Sequence, residues 1–403
     1  MFGTALPATF TLLALALLAL AGHCFAFYPI SLRLFFRKMP LPSISAPNQP
    51  WPSLAICLCA YNEEKVIVAK IERLLEMAAD YGPATIHVYA DAPSDSTAEI
   101  LAPFSDRIDL VVGKVRAGKT YGMNLLVARS DSELILFTDA NVVSDARCAS
   151  ELARPFADAS IGCVTARLVY SNQRESATSA IGALYWRLEE AIKKLESETV
   201  GVIGVDGAMF MIRRALHQPT PPQLIDDLYL SLRILIAGSR IYSADHVLVY
   251  ERNAVGAEEE KRRKRRIACQ ATNVHRALWP DLKHLPAPQL YAYFSHRVMK
   301  WLTPFFIAGA ALSAIFAVAS NRGALTASIV IIACLAALAV GHVFNARPFS
   351  ILSSATLSLF GVAAGVLESV FTKKTYTVWD PAASIRSEAF QGSHTKPRGP
   401  NAH

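Results

Sequence analysis

The chain has 403 residues, 52% of them hydrophobic and 18% charged, with 40 Lys and Arg against 33 Asp and Glu for a net charge of +7. Soluble domains carry about 25% charged residues, and the shortfall here sits at the ends: none precedes Arg33, and Arg322, Arg347 and Glu368 alone interrupt 301–372. Roughly 270 residues of ordinary globular composition lie between, which excludes a disordered, collagen-like or disulfide-stapled chain and predicts a globular domain held between membrane segments.

Residues 5–30 are apolar over a length that crosses about 30 Å of hydrocarbon. They lack the basic start of a cleaved signal peptide and run straight into Tyr28-Pro29-Ile30, so an uncleaved anchor within 1–30 is expected. Arg33, Arg37 and Lys38 follow and place the next domain in the cytoplasm by the positive-inside rule. Pro40, Pro42, Pro47, Pro50 and Pro52 predict a stiff linker over 31–52.

Strands are predicted at 53–60, 85–90, 108–112 and 134–138, with a helix over 65–79, a further helix opening after the polar turn 91–97, and one over 228–237. Strands alternating with helices predict an α/β domain, over 53–285, with a mostly parallel sheet. In such sheets ligands bind beyond the carboxyl ends of the strands. Glu63, Asp91 and Asp139 each follow a predicted strand and so can converge on one cleft. Cys57 and Cys59 alternate within the first strand; a C-x-C pair without a second pair or nearby His is a poor zinc pattern. A reducing environment and no structural metal site are expected.

Three apolar windows follow, at 302–320, 324–343 and 349–370. Before them, 290–301 mixes Tyr291, Tyr293, Phe294 and Trp301 with His296, Arg297 and Lys300, the pattern of an interfacial amphipathic helix; together 286–371 forms a second membrane region. Three crossings put the tail, 372–403, outside, whereas Lys373 and Lys374 favour the inside, as a re-entrant last window would allow. Both topologies stay open.

CAYNEE (59–64), DAPSDST (91–97), RAGKTYGMN (116–124), TDAN (138–141), GVDGAMFMIRR (204–214) and DD (226–227), in that order, resemble the motifs of the family 2 glycosyltransferases over roughly 51–285. The flanking helices are similar to those of its membrane-bound polysaccharide synthases. The resemblance implies a GT-A fold, whose Rossmann-like half binds nucleotide, facing the cytoplasm from the inner membrane. It implies an inverting, metal-dependent transfer from a nucleotide-diphosphate sugar, UDP-linked, to a growing glycan or lipid-linked acceptor.

By the same resemblance Tyr61, Glu63 and Asp91 hold the uridine, Asp91 accepting from the base. Asp139 and Asn141 occupy the D-x-D position for Mg²⁺ or Mn²⁺, with one charge fewer than two aspartates supply. Lys119 and Asn124 lie near the nucleotide sugar, Asp206-Gly207 beside the acceptor, and Asp227 is the general base at a helix start that favours its charge. Asp226, a like charge, raises the pKa of one of the pair. Arg263 and Arg266 stand where processive members carry Gln-x-x-Arg-Trp and can grip the diphosphate; Ile267 replaces the Trp, which puts processivity in doubt. The plainer readings of the 261–266 run are a membrane-surface patch or a solvated helix face. Gln270, Arg276 and Trp279 are a second, wrongly spaced candidate. Thr377-Val378-Trp379-Asp380-Pro381 also resembles family members. Expected partners are membrane lipid and polysaccharide-export proteins, with no nucleic acid. The alternative is a non-catalytic membrane scaffold or transport component with a degenerate nucleotide-binding fold.

Overall fold

The computed structural model describes residues 2–40, 42, 51–344 and 346–378. Helix α1 (Phe2–Gly22) bends by 64° into α2 (Phe27–Phe35), so the segment expected as an anchor is a bent pair of helices and the extended linker starts only after Phe35. Most of the Pro-rich segment, with Trp379-Asp380-Pro381, lies outside the described residues.

The domain runs β1 (Leu54–Ala60), α3 (Ile67–Tyr81), β2 (Ala84–Ala90), α4 (Thr97–Leu101), β3 (Asp109–Val112), α5 (Lys119–Ala128), β4 (Leu134–Asp139), β5 (Val143–Ser144), α6 (Cys148–Ala153), β6 (Ile161–Tyr170), α7 (Ala177–Thr199), β7 (Met209–Arg213), α8 (Asp226–Ile236), β8 (Arg240–Glu251) and α9 (Ala257–Leu282). One sheet has the order β3-β2-β1-β4-β7-β6-β8-β5. The β3-β2-β1-β4 half is parallel throughout, and β1 reads LAICLCA because both of its faces are covered. The other half departs from the parallel expectation: β7 is antiparallel to both β4 and β6, and β5 to β8. Phe137 and Phe210 pair across β4 and β7 with ring centroids 4.9 Å apart, joining the two halves within one of the two hydrophobic clusters.

The chain leaves β1 toward β2 and returns on its opposite side as β4, so the crevice between their carboxyl ends is a topological switch point. Asn62 (φ 54°) and Ala92 (φ 46°), just past β1 and β2, both adopt the left-handed conformation that non-glycine residues rarely take. Under β4, the buried Lys70 of α3 donates to Thr138 Oγ1 (2.9 Å) and the Val142 carbonyl (2.8 Å), fixing the turn that carries Asp139 and Asn141. Burial pulls its ammonium down to about 7.

After the domain come α10 (Ala287–Ala292), a π-helical stretch (Tyr293–Val298), α11 (Met299–Arg322), α12 (Ala324–Phe344) and α13 (Phe349–Leu367), which continues through Thr372. Three helices, Ala287–Arg322, Ala324–Phe344 and Phe349–Thr372, are long and apolar enough to cross a membrane, or four if the bent N-terminal pair is one span. Residues 290–301 are thus the first turns of a continuous helix, not a separate surface helix. Their polar groups face protein: the fully buried His296 bonds Glu196 (2.7 Å) and meets Glu189 (3.0 Å), and Lys300 bonds Glu189 (2.8 Å). Helix α1 packs antiparallel to α11, with Phe10 stacked on Phe316 and Leu17 against Gly309.

Candidate active site

One continuous cavity of about 1100 Å³ lies over the carboxyl ends of β1, β2 and β4. Tyr61, Glu63, Asp91, Lys119, Asp139, Asn141, Asp206, Gly207, Asp227, Arg263 and Arg266 all line it. Asn124 does not. Its amide donates to the Thr220 carbonyl (2.8 Å) and accepts from the Thr220 N–H (3.0 Å), so it pins the loop before α8.

At the β1–β2 end, Asp91 is buried and accepts from the N–H groups of Ala117 (2.7 Å) and Gly118 (2.9 Å). The carboxylate thereby shapes the basic glycine loop over the pocket, a task distinct from the base contact the motif implies. The Arg116 guanidinium lies 3.6 Å over the Tyr61 ring, making a flat cationic wall.

At the centre, Lys119 opens α5 and points its ammonium at Asp139 Oδ1 (2.7 Å) and Asp226 Oδ2 (3.7 Å). Burial works against that charge, but Asp139, Asp226 and Asp227 outweigh it and hold the lysine protonated. Gly207 sits among the same groups. A Cβ there would stand 3.1 Å from Lys119 Nζ, 3.3 Å from Asp227 Oδ2 and 3.6 Å from Asp139 Oδ2. Asp226 and Asp227 are the first residues of α8, where the helix dipole favours negative charge. Burial, then the charge of Asp226, nevertheless push the Asp227 carboxyl up to about 7.

Asn141 donates its amide to Glu251 Oε1 (3.0 Å), at the end of β8. That orientation leaves the Asn141 carbonyl oxygen, with Asp139, to meet a hard cation. Among the described residues no three His, Cys, Asp or Glu side chains converge as a metal cage. The pair fits a cation that draws its other ligands from a diphosphate, the usual habit of Mg²⁺.

On α9 the basic run divides among faces. Arg262, Arg263, Lys264 and Arg266 all meet the cavity, Arg263 touching Tyr170 OH (3.3 Å) and Arg266 donating to Gln270 Oε1 (3.0 Å). Burial and then Arg263 lower the Arg266 guanidinium to about 10. Arg265 turns away to bond Glu368 in the last turns of α13. Of the second candidate set, Gln270 lines the cavity and holds the Tyr376 carbonyl (2.9 Å), while Arg276 bonds Ser369 instead.

Several lining residues carry no motif. Glu251 ends the run Val247–Tyr250 just as Asp91 and Asp139 end theirs, so the strand-end signal was present. Burial, with Asp139 and Asp206 adding to it, raises its carboxyl to about 7. Lys193 of α7 bonds Asp206 Oδ2 (2.8 Å) and Glu190 Oε1 (2.7 Å), and burial of such a lysine had no local signal. Arg297 grips the loop bearing Asp206 and Gly207 through the carbonyls of Ile203 (2.8 Å) and Gly204 (2.7 Å).

A family model described as glycosyltransferase-like family 2 matches residues 52–270. The chain belongs to that family. Its mixed sheet and crevice are those of the GT-A fold, and the protein is a family 2 glycosyltransferase. Among solved structures, a mannosyltransferase from Pyrobaculum calidifontis, in complex with GDP-mannose and Mn²⁺, is 19% identical over 91% of this chain and 100% of its own, with a TM-score of 0.70. Residues 1–349 of TarS from S. aureus are 13% identical over 80% of this chain and 92% of that one, at a TM-score of 0.43. Glucosyl-3-phosphoglycerate synthase from Mycobacterium tuberculosis is 16% identical over 55% and 80%, at 0.39. The fold comparison therefore rests on the first. No curated protein matches the chain.

Proposed function

We propose that the protein is an inverting, metal-dependent transferase that moves a sugar from a nucleotide diphosphate, with uridine as the expected base, onto a glycan or lipid-linked acceptor. The observation that carries this is the convergence of Asp139, Lys119 and Asp227 around Gly207. One place then holds cation ligands, a lysine for phosphate charge and a carboxylate for proton transfer.

The nucleotide lies at the switch point between Tyr61, Glu63 and the loop that Asp91 shapes. Asp139 and the Asn141 carbonyl oxygen would hold a divalent cation, which would neutralise charge on the diphosphate. Arg266, half-buried beside Arg263, gains from an incoming phosphate that offsets the neighbouring positive charge. Gly207 keeps the floor low so that the donor sugar can approach Asp227. The acceptor oxygen bonds to the anomeric carbon as the bond from that carbon to the diphosphate breaks, and Asp227 takes the acceptor's proton. Its raised carboxyl suits this task, because a base works best with a pKa near the working pH. We place the domain on the cytoplasmic face of the inner membrane, where nucleotide sugars are made and where Arg33, Arg37 and Lys38 anchor it.

Incubating the full chain in membranes with a panel of radiolabelled UDP- and GDP-sugars tests this reading. One donor should transfer label to a membrane-borne product in a Mg²⁺- or Mn²⁺-dependent way. Retention of function by an Asp227→Asn chain in cells, with no label moved, would favour the scaffold.

A further inference from the structure

Besides the part over the strand ends, the cavity has a second arm that leads under α13. Thr178, Ile181, Tyr185, Glu189 and Lys193 of α7 all line it. They recur every three or four residues, so one face of α7 is the floor. From Lys193, paired with Asp206 at the active centre, to Thr178 is about 22 Å at 1.5 Å per residue. Ser354, Ser358 and Val362 of α13 roof this arm, and Phe25 and Trp301 flank it.

α13 rests on the catalytic domain along its length. Ser354 Oγ is 3.2 Å from Thr178 Oγ1 near its start. Gly361 and Gly365 lie against the backbone carbonyls of Lys261 and Arg265 with no room for a Cβ. Near its end Ser369 Oγ meets Asn273 (2.7 Å) and Arg276 (2.8 Å). A membrane-crossing helix separates its ends by about 30 Å of hydrocarbon, and neither α7 nor the highly charged α9 can follow it there. α11 and α12 already make an outward and return pair: α11 extends from Arg297 and Lys300 at the domain, and Gly341 of α12 packs on the start of α13. The buried side of α13 is small and polar. Its other side exposes Leu352 (51%), Phe360 (62%) and Phe371 (77%), as in a helix lying in a bilayer surface.

We propose that α13 lies along the membrane surface instead of crossing it, that the cavity beneath it opens to the leaflet, and that the acceptor is a membrane lipid. Its headgroup oxygen reaches Asp227 and its chain fills the arm between α7 and α13. This rests on the transferase reading above. A glycan threaded across the membrane needs a lumen along the spanning helices, but among the described residues no α12 residue and no α11 residue past Thr303 lines the cavity. The Lys264 and Lys300 ammonium groups lie 4.3 and 5.8 Å from the Tyr185 ring centroid, at the neck where an anionic headgroup would pass.

The test uses the full chain in nanodiscs, with the donor found by the panel and binding of its nucleotide diphosphate measured alongside. Undecaprenyl phosphate, dioleoylglycerol and a water-soluble oligosaccharide are offered as acceptors. One of the two lipids should be glycosylated at least tenfold faster than the oligosaccharide, and which one reports whether the headgroup is a phosphate or a neutral hydroxyl. Ser358→Trp and, separately, Ala355→Phe, at a residue that also lines the arm, should cut lipid glycosylation at least tenfold with nucleotide affinity unchanged. Nitroxides at Leu352→Cys and Phe371→Cys should report the same shallow depth. Equal use of the oligosaccharide, a polymeric product, or depths on opposite leaflets would overturn the proposal. Loss of nucleotide binding by the unmodified chain would instead refute the transferase reading.

Discussion

The Asn141 amide donates to Glu251 Oε1 across 3.0 Å, so the residue standing at the second D-x-D position is held by a carboxylate from the far half of the sheet. Asn141→Asp alone puts two carboxylates there and loses the hydrogen bond. It should weaken Mn²⁺ binding or leave it unimproved, although it adds a charge. Asn141→Asp with Glu251→Gln restores a donor and should bind Mn²⁺ more tightly than the parent. Titration with nucleotide diphosphate present reads both, and tighter binding by the single variant would show that Glu251 does not set the orientation.

The pH dependence follows from the aspartate pair. A base whose pKa is raised is active only above it, so kcat/KM should rise with pH through about 7. Asp226→Asn removes the like charge that, after burial, raises Asp227, so the acid limb should move to lower pH. An unmoved limb would assign the titration to another group.

Gly207→Ala brings a methyl to 3.1 Å from Lys119 Nζ and 3.3 Å from Asp227 Oδ2. Turnover should fall at least tenfold while the melting temperature stays within a few degrees, because the crowding is in the cleft and not the core. A large melting shift with normal specific activity would make Gly207 a folding residue.

Single substitutions along 261–266 should have unequal effects, because the run spans several faces of α9. Arg266→Ala removes a charged donor worth about 1.5–3 kcal/mol, ten- to hundredfold in kcat/KM. Arg262 also lines the cavity but is exposed, so Arg262→Ala should cost less. Arg265→Ala breaks the contact with Glu368 and should loosen the last helix to proteolysis with little change in kcat. Uniform effects would restore the surface-patch reading.

The parallel half of the sheet was legible because apolar runs end in Glu63, Asp91 and Asp139, a local pattern that needs only alternating strands and helices. Glu251 ends a run of the same kind, but its return to Asn141 depends on β8 pairing with β6 and β5, contacts that local sequence does not encode. Lys193 and Glu189 were illegible for another reason. Their stretch, Glu189–Glu198, reads as a solvated helix, and burial comes only when α2 and 293–300 pack over it. Asn124 shows the reverse, since its motif position matches while the turn of α5 commits both ends of its amide to Thr220.

The most direct measurement is single-turnover transfer and donor affinity in parallel for Asp227→Asn. The amide keeps the shape and a hydrogen-bond acceptor but takes no proton. The transfer rate should fall by about 10²–10⁴-fold, the usual worth of a general base. Donor affinity should stay near that of the parent, because Asp91, Asp139 and Lys119 are unchanged. A rate within a few-fold of the parent, or an affinity that collapses with the rate, would contradict Asp227 as the base.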